Sequence, residues 1–333
     1  MTPLITVGIP VLNGMPWLSE CVESLQSQTF TDFRVLAIDD GSTDDSLAYL
    51  RSIRDSRFRV LTQANRGLTA TLNRMLEEVE TQWLMRQDAD DVALPERLAR
   101  ITDFANRFPD AGILYSDAAH YQNGHVLGRL RTTEGDPNSV RELVESGYLP
   151  AICHSAIVLN AIKARELGGY RFNLNVEEYD MYWRMALAHD VRYIPEALVG
   201  YRMHRGSVSE NHDRAREAAV LYIQYLLLSE LQGRQPLPYD AVMPVLEALV
   251  DDNWLEYHAL MREAMTSIGE QNYRGALRSL SEAFRASPRR FVQRVFYRLG
   301  QHQAVRLGQP PPRFAALARH LWPQDVKDLV GAR

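Results

Sequence analysis

The sequence predicts an α/β protein in which a mainly parallel sheet is flanked by helices and followed by a helical C-terminal appendage. Three observations predict it. Over the first two hundred residues short apolar runs alternate with amphipathic stretches, the pattern of repeated βαβ units. Acidic and polar clusters fall at the carboxyl ends of the predicted strands, where open parallel sheets bind their ligands. From about residue 215 the texture changes to Leu, Ala, Glu and Arg at helical spacing. The boundary is drawn between residues 1–212 and 213–333.

Leu4 to Ile9 reads as a buried first strand, and Val11-Leu12-Asn13-Gly14 as the turn leaving it. Pro16 stands where a first-turn proline is tolerated, and Leu18, Cys21, Val22 and Leu25 recur at helical spacing. Arg34 to Ile38 is a second strand, closed by Asp39-Asp40-Gly41-Ser42-Thr43-Asp44. There Gly41 relieves the backbone, and Ser42 or Thr43 is placed to cap the next helix. Phe58 to Leu61 is a third strand, and Leu68, Leu72, Met75, Leu76 and Val79 mark one face of the helix after it. Trp83-Leu84-Met85 is a fourth strand running into Arg86-Gln87-Asp88-Ala89-Asp90-Asp91. Pro95 begins a helix, and Gly112 to Tyr115 is a fifth strand. Breaks at Pro236-Leu237-Pro238, Ser287-Pro288 and Pro310-Pro311-Pro312 divide the helical part, where Tyr273 to Pro288 has the texture of half a tetratricopeptide unit.

Composition narrows the setting. With 46% hydrophobic and 24% charged residues the chain is globular rather than disordered. A net charge of -5 gives no electrostatic reason to expect nucleic acid as a partner. Two cysteines, Cys21 and Cys153, build no disulfide framework, which suits a reducing cytoplasm. The N-terminus lacks the basic start and long apolar core of a signal peptide. Ala218 to Leu228, the most apolar stretch, is interrupted by Gln224 and is too short to span a bilayer. The expectation is a cytoplasmic protein, with peripheral contact at the inner face of the membrane left open. The sequence is silent on oligomeric state.

Four clusters carry chemistry. Asp88-Ala89-Asp90-Asp91 crowds three carboxylates that repel one another unless a cation or solvent neutralises them. Hard oxygen ligands suit Mg²⁺ or Mn²⁺ bridging a substrate's phosphates, while the same acids would also suit a plain helix-capping turn. Asp39-Asp40-Gly41-Ser42 offers a carboxylate to the imide N–H of a uracil or thymine, or serves as an ordinary loop and cap. Glu177-Glu178-Tyr179-Asp180 offers a general base for an incoming hydroxyl, or enriches a helix start in acids for dipole reasons. In Tyr201-Arg202-Met203-His204-Arg205-Gly206-Ser207 a histidine suits a transition-type cation, and its flanking arginines suit diphosphate oxygens. Arg66, in Asn65-Arg66-Gly67, is placed to meet a nucleotide or to stand exposed in a loop. His154 and the two cysteines give no zinc spacing.

Taken in order, these segments resemble glycosyltransferase family 2, whose members share the GT-A fold. The resemblance covers residues 4–210. It rests on Val7 to Gly14, Ser24 to Phe30, Asp39 to Asp44, Asn65-Arg66-Gly67, Asp88 to Asp91, Gly168-Gly169-Tyr170 and Tyr201 to His204. It implies a metal-dependent inverting transfer of a sugar from a nucleotide-diphosphate donor, with a UDP-sugar the family-level expectation. The acceptor implied is a hydroxyl of a glycan or glycolipid, in cell-surface polysaccharide synthesis. Residues 1–212 would be the catalytic domain. By position, Pro10, Val11, Leu12 and Asn13 would line the nucleoside pocket, Asp40 would contact the base and Asp88 the ribose. Asp90 would hold Mn²⁺ or Mg²⁺, with His204 a further ligand or diphosphate contact.

The family's base usually lies in a Glu-Asp or Asp-Asp pair before a helix. Here the pair is Glu177-Glu178, one methylene longer, and Glu178 takes the base position with Glu177 its competitor. The Gln-x-x-Arg-Trp motif of processive synthases is absent; Tyr182-Trp183-Arg184 does not reproduce it. A nucleotidyltransferase would carry a Gly-rich basic loop after the first strand, where this chain has Pro10-Val11-Leu12-Asn13-Gly14. A non-catalytic nucleotide-sugar-binding scaffold would have no need to keep every acidic cluster. In the tail, Arg289-Arg290-Phe291, Arg294, Phe296 and Arg298 mix basic and aromatic residues, as a membrane-surface helix or one packed on the catalytic domain would.

Overall fold

A computed structural model of the chain describes residues 3–122, 124–130, 132–204, 214–269 and 271–288. The basic and aromatic stretch from Arg289 to Arg298, the break at Pro310 to Pro312, and Arg205 to Ser207 lie outside the described residues. Two compact units are drawn from the chain: one from residues 1–141 and 150–202, the other from 142–149 and from 203 onward.

The first unit holds a nine-stranded sheet. Its strands are β1 (Ile5–Val11), β2 (Arg34–Asp39), β3 (Phe58–Thr62), β4 (Trp83–Arg86), β5 (Val92–Ala93), β6 (Ile113–Gln122), β7 (His125–Arg129), β8 (Ile157–Asn160) and β9 (Val191–Arg202). They lie in the order β3-β2-β1-β4-β8-β6-β9-β5, with β7 also paired to β6. The first four are mutually parallel, as the βαβ alternation requires. β8 opposes both β4 and β6, and β9 runs with β6, so six strands point one way and β5, β7 and β8 point back.

All seven residues of β1 are buried, which is why it reads as an unbroken apolar run rather than an alternating one. Helices α1 (Leu18–Gln26), α2 (Ser46–Ser52), α3 (Leu68–Glu78) and α4 (Arg97–Arg107) follow β1, β2, β3 and β5. α1 buries Leu18, Cys21, Val22 and Leu25, the four residues whose spacing predicts it, against Ile5, Val7 and Val35 of the sheet core. Each such side chain, fully buried, contributes about 1.5–3 kcal/mol. Pro16 lies two residues ahead of α1 instead of in its first turn. α5 (Pro137–Glu145), α6 (Ala161–Glu166) and α7 (Glu177–Ala188) complete the helices before residue 200.

The second unit contains α8 (Arg214–Leu231), α9 (Tyr239–Ala248), α10 (Asp252–Gly269) and α11 (Tyr273–Ala286). The breaks at Pro236 to Pro238 and Ser287-Pro288 fall between α8 and α9 and after α11. Arg214 ties the start of α8 to the end of α9 through the carbonyls of Glu247 (2.7 Å) and Val250 (3.0 Å). α10 and α11 pack as a helical hairpin over Tyr257, Met261 and Ala283. Among the described residues no helix is long and apolar enough to cross a membrane.

Candidate active site

β2, β1 and β4 are parallel neighbours, so Asp39, Val11 and Arg86, their last residues, end at one edge of the sheet. The loops that follow are laced together. Asn13, at φ 52°, donates its amide to Ser42 Oγ (2.9 Å) and accepts the Thr43 amide on its side-chain oxygen (2.8 Å). Gly14 donates to Ser46 Oγ at 2.8 Å and Met15 to the Asp44 carboxylate at 3.1 Å. Ser42 and Thr43 therefore serve the neighbouring loop; α2 starts at Ser46, whose amide donates to Asp44 Oδ1 at 3.0 Å. A Cβ built on Gly14 would stand 3.4 Å from Ala89 Cβ, so the same loop leans on the Asp88–Asp91 turn. Of the four residues expected around a nucleoside, Pro10 and Val11 are buried inside β1, while Leu12 and Asn13 are exposed beyond it.

Asp40 is 3% exposed and turned toward its own protein. Its Oδ1 accepts Gln63 Nε2 (2.7 Å) and the Arg66 amide (2.9 Å), and its Oδ2 accepts the Gly67 amide (2.9 Å). A carboxylate has about four acceptor sites, so about one is left for a base. The Arg66 side chain is exposed. Gly67 has φ 85°, and a Cβ there would meet the Asn173 side chain at 3.2 Å, so this loop abuts the segment before α7. That segment is held by α3: Asn73 accepts the Tyr170 amide (2.9 Å) and donates to the Tyr170 carbonyl (2.8 Å), and Thr69 donates to Phe172 (2.9 Å). Gly169 has φ 66°, and a Cβ on it would lie 2.5 Å from Asn73 Oδ1, which accounts for the glycine in Gly168-Gly169-Tyr170.

The Asp88–Asp91 turn is braced from below by buried side chains. Gln87 donates to the carbonyls of Asp88 (3.1 Å) and Asp91 (2.9 Å), and Arg97 grips Gln87 Oε1 (2.5 Å), the Arg86 carbonyl (2.8 Å) and the Ser155 carbonyl. Asp88 faces Arg86 on Oδ1 (2.5 Å) and Ser155 Oγ on Oδ2 (2.6 Å). Burial opposes its ionisation, but Arg86, His154 and the hydrogen bonds from Ser155 and Arg86 hold it below the ordinary carboxyl range. Asp91 is driven the other way, well above that range, by burial and then by Asp90 and Asp88. Its Oδ1 accepts the Arg202 amide (2.8 Å), and its buried Oδ2 has no hydrogen-bond partner. Three carboxylates with this mutual repulsion, the half-buried Asp90 among them, fit a divalent cation with hard-oxygen preference.

Arg202 corrects the expectation of a diphosphate contact. It is 4% exposed, donates Nε to the Asp90 carbonyl (2.9 Å), pairs with Glu20, and lies over the rings of Trp17 (4.5 Å) and Tyr121 (5.2 Å). Its guanidinium is spent inside the protein, clamping the end of β9 onto the acidic turn. His204 lies two residues beyond β9, among residues grouped with the second unit.

In the first turn of α7, Glu177 is 1% exposed and Glu178 half-buried. Asp180, fully buried, is committed to structure: Arg171 reaches both its oxygens (2.9 and 2.5 Å) and Arg184 a third time (2.9 Å). Arg184 also bonds the carbonyls of Leu167 and Gly169, so this ion cluster sets the approach to α7. The residue that joins the acidic regions is His154. Its Nε2 meets Tyr170 Oη at 3.2 Å, and an imidazole nitrogen and one oxygen each of Glu177 and Glu178 lie within 4.8 Å of one another. Burial, then Arg86, pushes its pKa down to about 3 against the pull of Asp88. Asp88, bonded to the neighbouring Ser155, acts electrostatically on the same imidazole. His154 lies in the short turn just before β8, a position that carries no strand-end signal in the sequence.

Comparison with known proteins agrees with this architecture. Residues 6–167 match the family model described as Glycosyl transferase family 2. The putative glycosyltransferase EpsE of Bacillus subtilis (strain 168) is 24% identical over 260 residues, covering 74% of this chain and 88% of that protein. The fold is similar to that of S. aureus TarS residues 1–349 in complex with UDP-GlcNAc, with TM-score 0.54, 16% identity and 92% of each chain covered. It is also similar to the mannosyltransferase PcManGT from Pyrobaculum calidifontis in complex with GDP-Man and Mn²⁺, with TM-score 0.52, 16% identity, and 97% of this chain and 88% of that one covered. Residues 6–167 are a glycosyltransferase family 2 domain by this match, and the chain is a glycosyltransferase of GT-A fold.

Proposed function

We propose that this glycosyltransferase moves a sugar, with inversion, from a nucleotide-diphosphate donor to a hydroxyl of a glycan or glycolipid, and that transfer needs a divalent metal. The observation that carries the reading is the grouping of Glu178 with His154, whose chain neighbour Ser155 is bonded to Asp88, so that a candidate base and a donor-side carboxylate meet the same short segment. Residues 1–212 are proposed as the catalytic domain. The donor proposed is a UDP-sugar. The last acceptor site of Asp40 would take the imide N–H of uracil, beside exposed Leu12, Asn13 and Arg66. The diphosphate in TarS and PcManGT complexes is carried by uridine and guanosine respectively, so the donor nucleoside is the first variable to test.

Asp90 is proposed to hold Mn²⁺ or Mg²⁺, which would offset the negative charge building on the departing nucleoside diphosphate. Asp88 is proposed to orient the ribose, its carboxylate fixed by Arg86 and Ser155. Glu178 is favoured over Glu177 as base because it is the less buried of the two. The acceptor oxygen forms its bond to the anomeric carbon as its proton passes to Glu178. The bond from that carbon to the diphosphate breaks, and its electron pair leaves with the nucleoside diphosphate. The test is release of nucleoside diphosphate from a panel of UDP-, GDP- and dTDP-sugars with and without Mn²⁺. Asp90→Ala should abolish metal-stimulated release, and Glu178→Gln should keep donor binding while stopping transfer. Near-normal turnover by Glu178→Gln would sink the base assignment.

A further inference from the structure

We propose that His154, together with Glu177 and Glu178, forms the seat of the attacking hydroxyl, with the imidazole holding the acceptor oxygen while Glu178 receives its proton. The proposal rests on the reading of Glu178 as base and adds to it a binding residue for the acceptor.

The geometry is specific. Three atoms that all lie within 4.8 Å of one another share a point no more than about 2.8 Å from each, so one bound atom can reach all three. That is the hydrogen-bonding distance of a hydroxyl oxygen to nitrogen or oxygen. A hydroxyl fits the three groups chemically as well: its O–H donates to a carboxylate, and its lone pair accepts an imidazole N–H. Tyr170 Oη engages Nε2 at 3.2 Å, and Tyr170 is itself fixed by two hydrogen bonds between its backbone and the Asn73 side chain. The imidazole is therefore oriented by a partner that α3 holds, as an orienting second partner does for histidines that bind ligands.

Two positive groups act on the seat. The Arg86 guanidinium acts electrostatically on both Glu177 and His154. Glu177 and Glu178 lie in the first turn of α7, where the helix presents its positive end. Both weaken the hold of the two carboxylates on a cation, and both would stabilise the alkoxide character that a bound hydroxyl acquires as its proton leaves. Being neutral at ordinary pH, His154 offers an N–H without competing with Glu178 for the proton.

The experiment uses the full chain, the nucleotide sugar it turns over in the release assay, and methyl glycosides as hydroxyl probes. His154→Ala should raise the methyl glycoside concentration giving half-maximal rate at least tenfold. His154→Gln, which keeps a side-chain N–H, should recover part of that loss. Both should retain the wild-type thermal shift with UDP, which shows that they fold and bind nucleotide. Unchanged acceptor dependence in both variants would overturn the proposal. So would Zn²⁺ raising the melting temperature of the wild type but not of His154→Ala, since a cation would then fill the seat. If Glu178→Gln is inactive while His154→Ala is normal, the seat fails and the base stands; if Glu178→Gln is active, the base itself has failed.

Discussion

Ser155 and Asp88 are bonded to each other twice: the Ser155 hydroxyl accepts the Asp88 amide at 3.1 Å and donates to the Asp88 carboxylate at 2.6 Å. Ser155 is fully buried, so no water can replace the hydroxyl without a cavity to hold it. Ser155→Ala should cost about 1–3 kcal/mol of stability, the penalty for leaving buried polar groups unpaired. It should also weaken donor binding more than it slows the turnover of bound donor. Urea melts and a titration with the preferred nucleoside diphosphate check the two halves separately.

Arg202 offers a sharper test of the acidic turn. Arg202→Lys keeps the positive charge but replaces a planar fork that pairs with Glu20, bonds the Asp90 carbonyl and stacks between two rings. Outer partners of a metal site typically affect metal affinity or activity about 10–100-fold. The Mn²⁺ concentration for half-maximal activity should rise by that order, with much of the rate recovered at saturating Mn²⁺. A variant with unaltered metal dependence would show that the clamp only joins β9 to the sheet.

Asp180 and Glu178 are two residues apart, yet their substitutions should separate cleanly. Asp180→Asn leaves Arg171 and Arg184 without their buried counter-ion, a loss of about 3–5 kcal/mol. Glu178 is only half-buried, and Glu178→Gln should melt closer to the wild type than Asp180→Asn does. Calorimetry on the pair decides this, and equal melting temperatures would contradict the structural role given to Asp180.

Acid should destabilise the fold partly through His154. Its folded pKa is lowered to about 3 from an ordinary 6.5, with burial the largest cause and Arg86 next. The unfolded chain therefore binds a proton that the folded chain refuses. This contribution is full above about pH 6.5 and is lost as pH falls toward 3. One proton corresponds to at most about 1.4 kcal/mol per pH unit, and less here because solvent reaches a half-buried ring. His154→Gln should flatten the slope of unfolding free energy between pH 6.5 and 5, measured in urea. An unchanged slope would show that this imidazole titrates normally.

The parallel half of the sheet was legible because three of its four strands are largely buried apolar runs closed by a polar turn: Ile5 to Val11, Arg34 to Asp39 and Trp83 to Arg86 lie close to their expected bounds. The other half was not. β6 extends to Gln122 through Ser116, Asp117 and His120, residues that break an apolar pattern, and β9 carries Pro195 and Glu196 within its twelve residues. Their pairing depends on partners distant in sequence, which no local period records. The same reason hid Ser155 and His154. β8 runs against β4 and β6, so these two residues reach the site from the turn just before a strand, where no strand-end cluster marks them. Arg202 was found but misassigned: composition marks a cation beside a histidine, while only packing shows its guanidinium turned inward.

Asp40 spends most of its acceptor capacity on Gln63, Arg66 and Gly67, which makes this acid a rivet for the wall of the pocket as much as a reader of its contents. Changing which nucleoside is accepted would then leave Asp40 in place and proceed through the rivetted residues, whose side chains can be exchanged while their amides stay bonded. Arg66 is such a position: its backbone is pinned, its side chain is exposed, and mutational drift there alters what enters without loosening the sheet beneath.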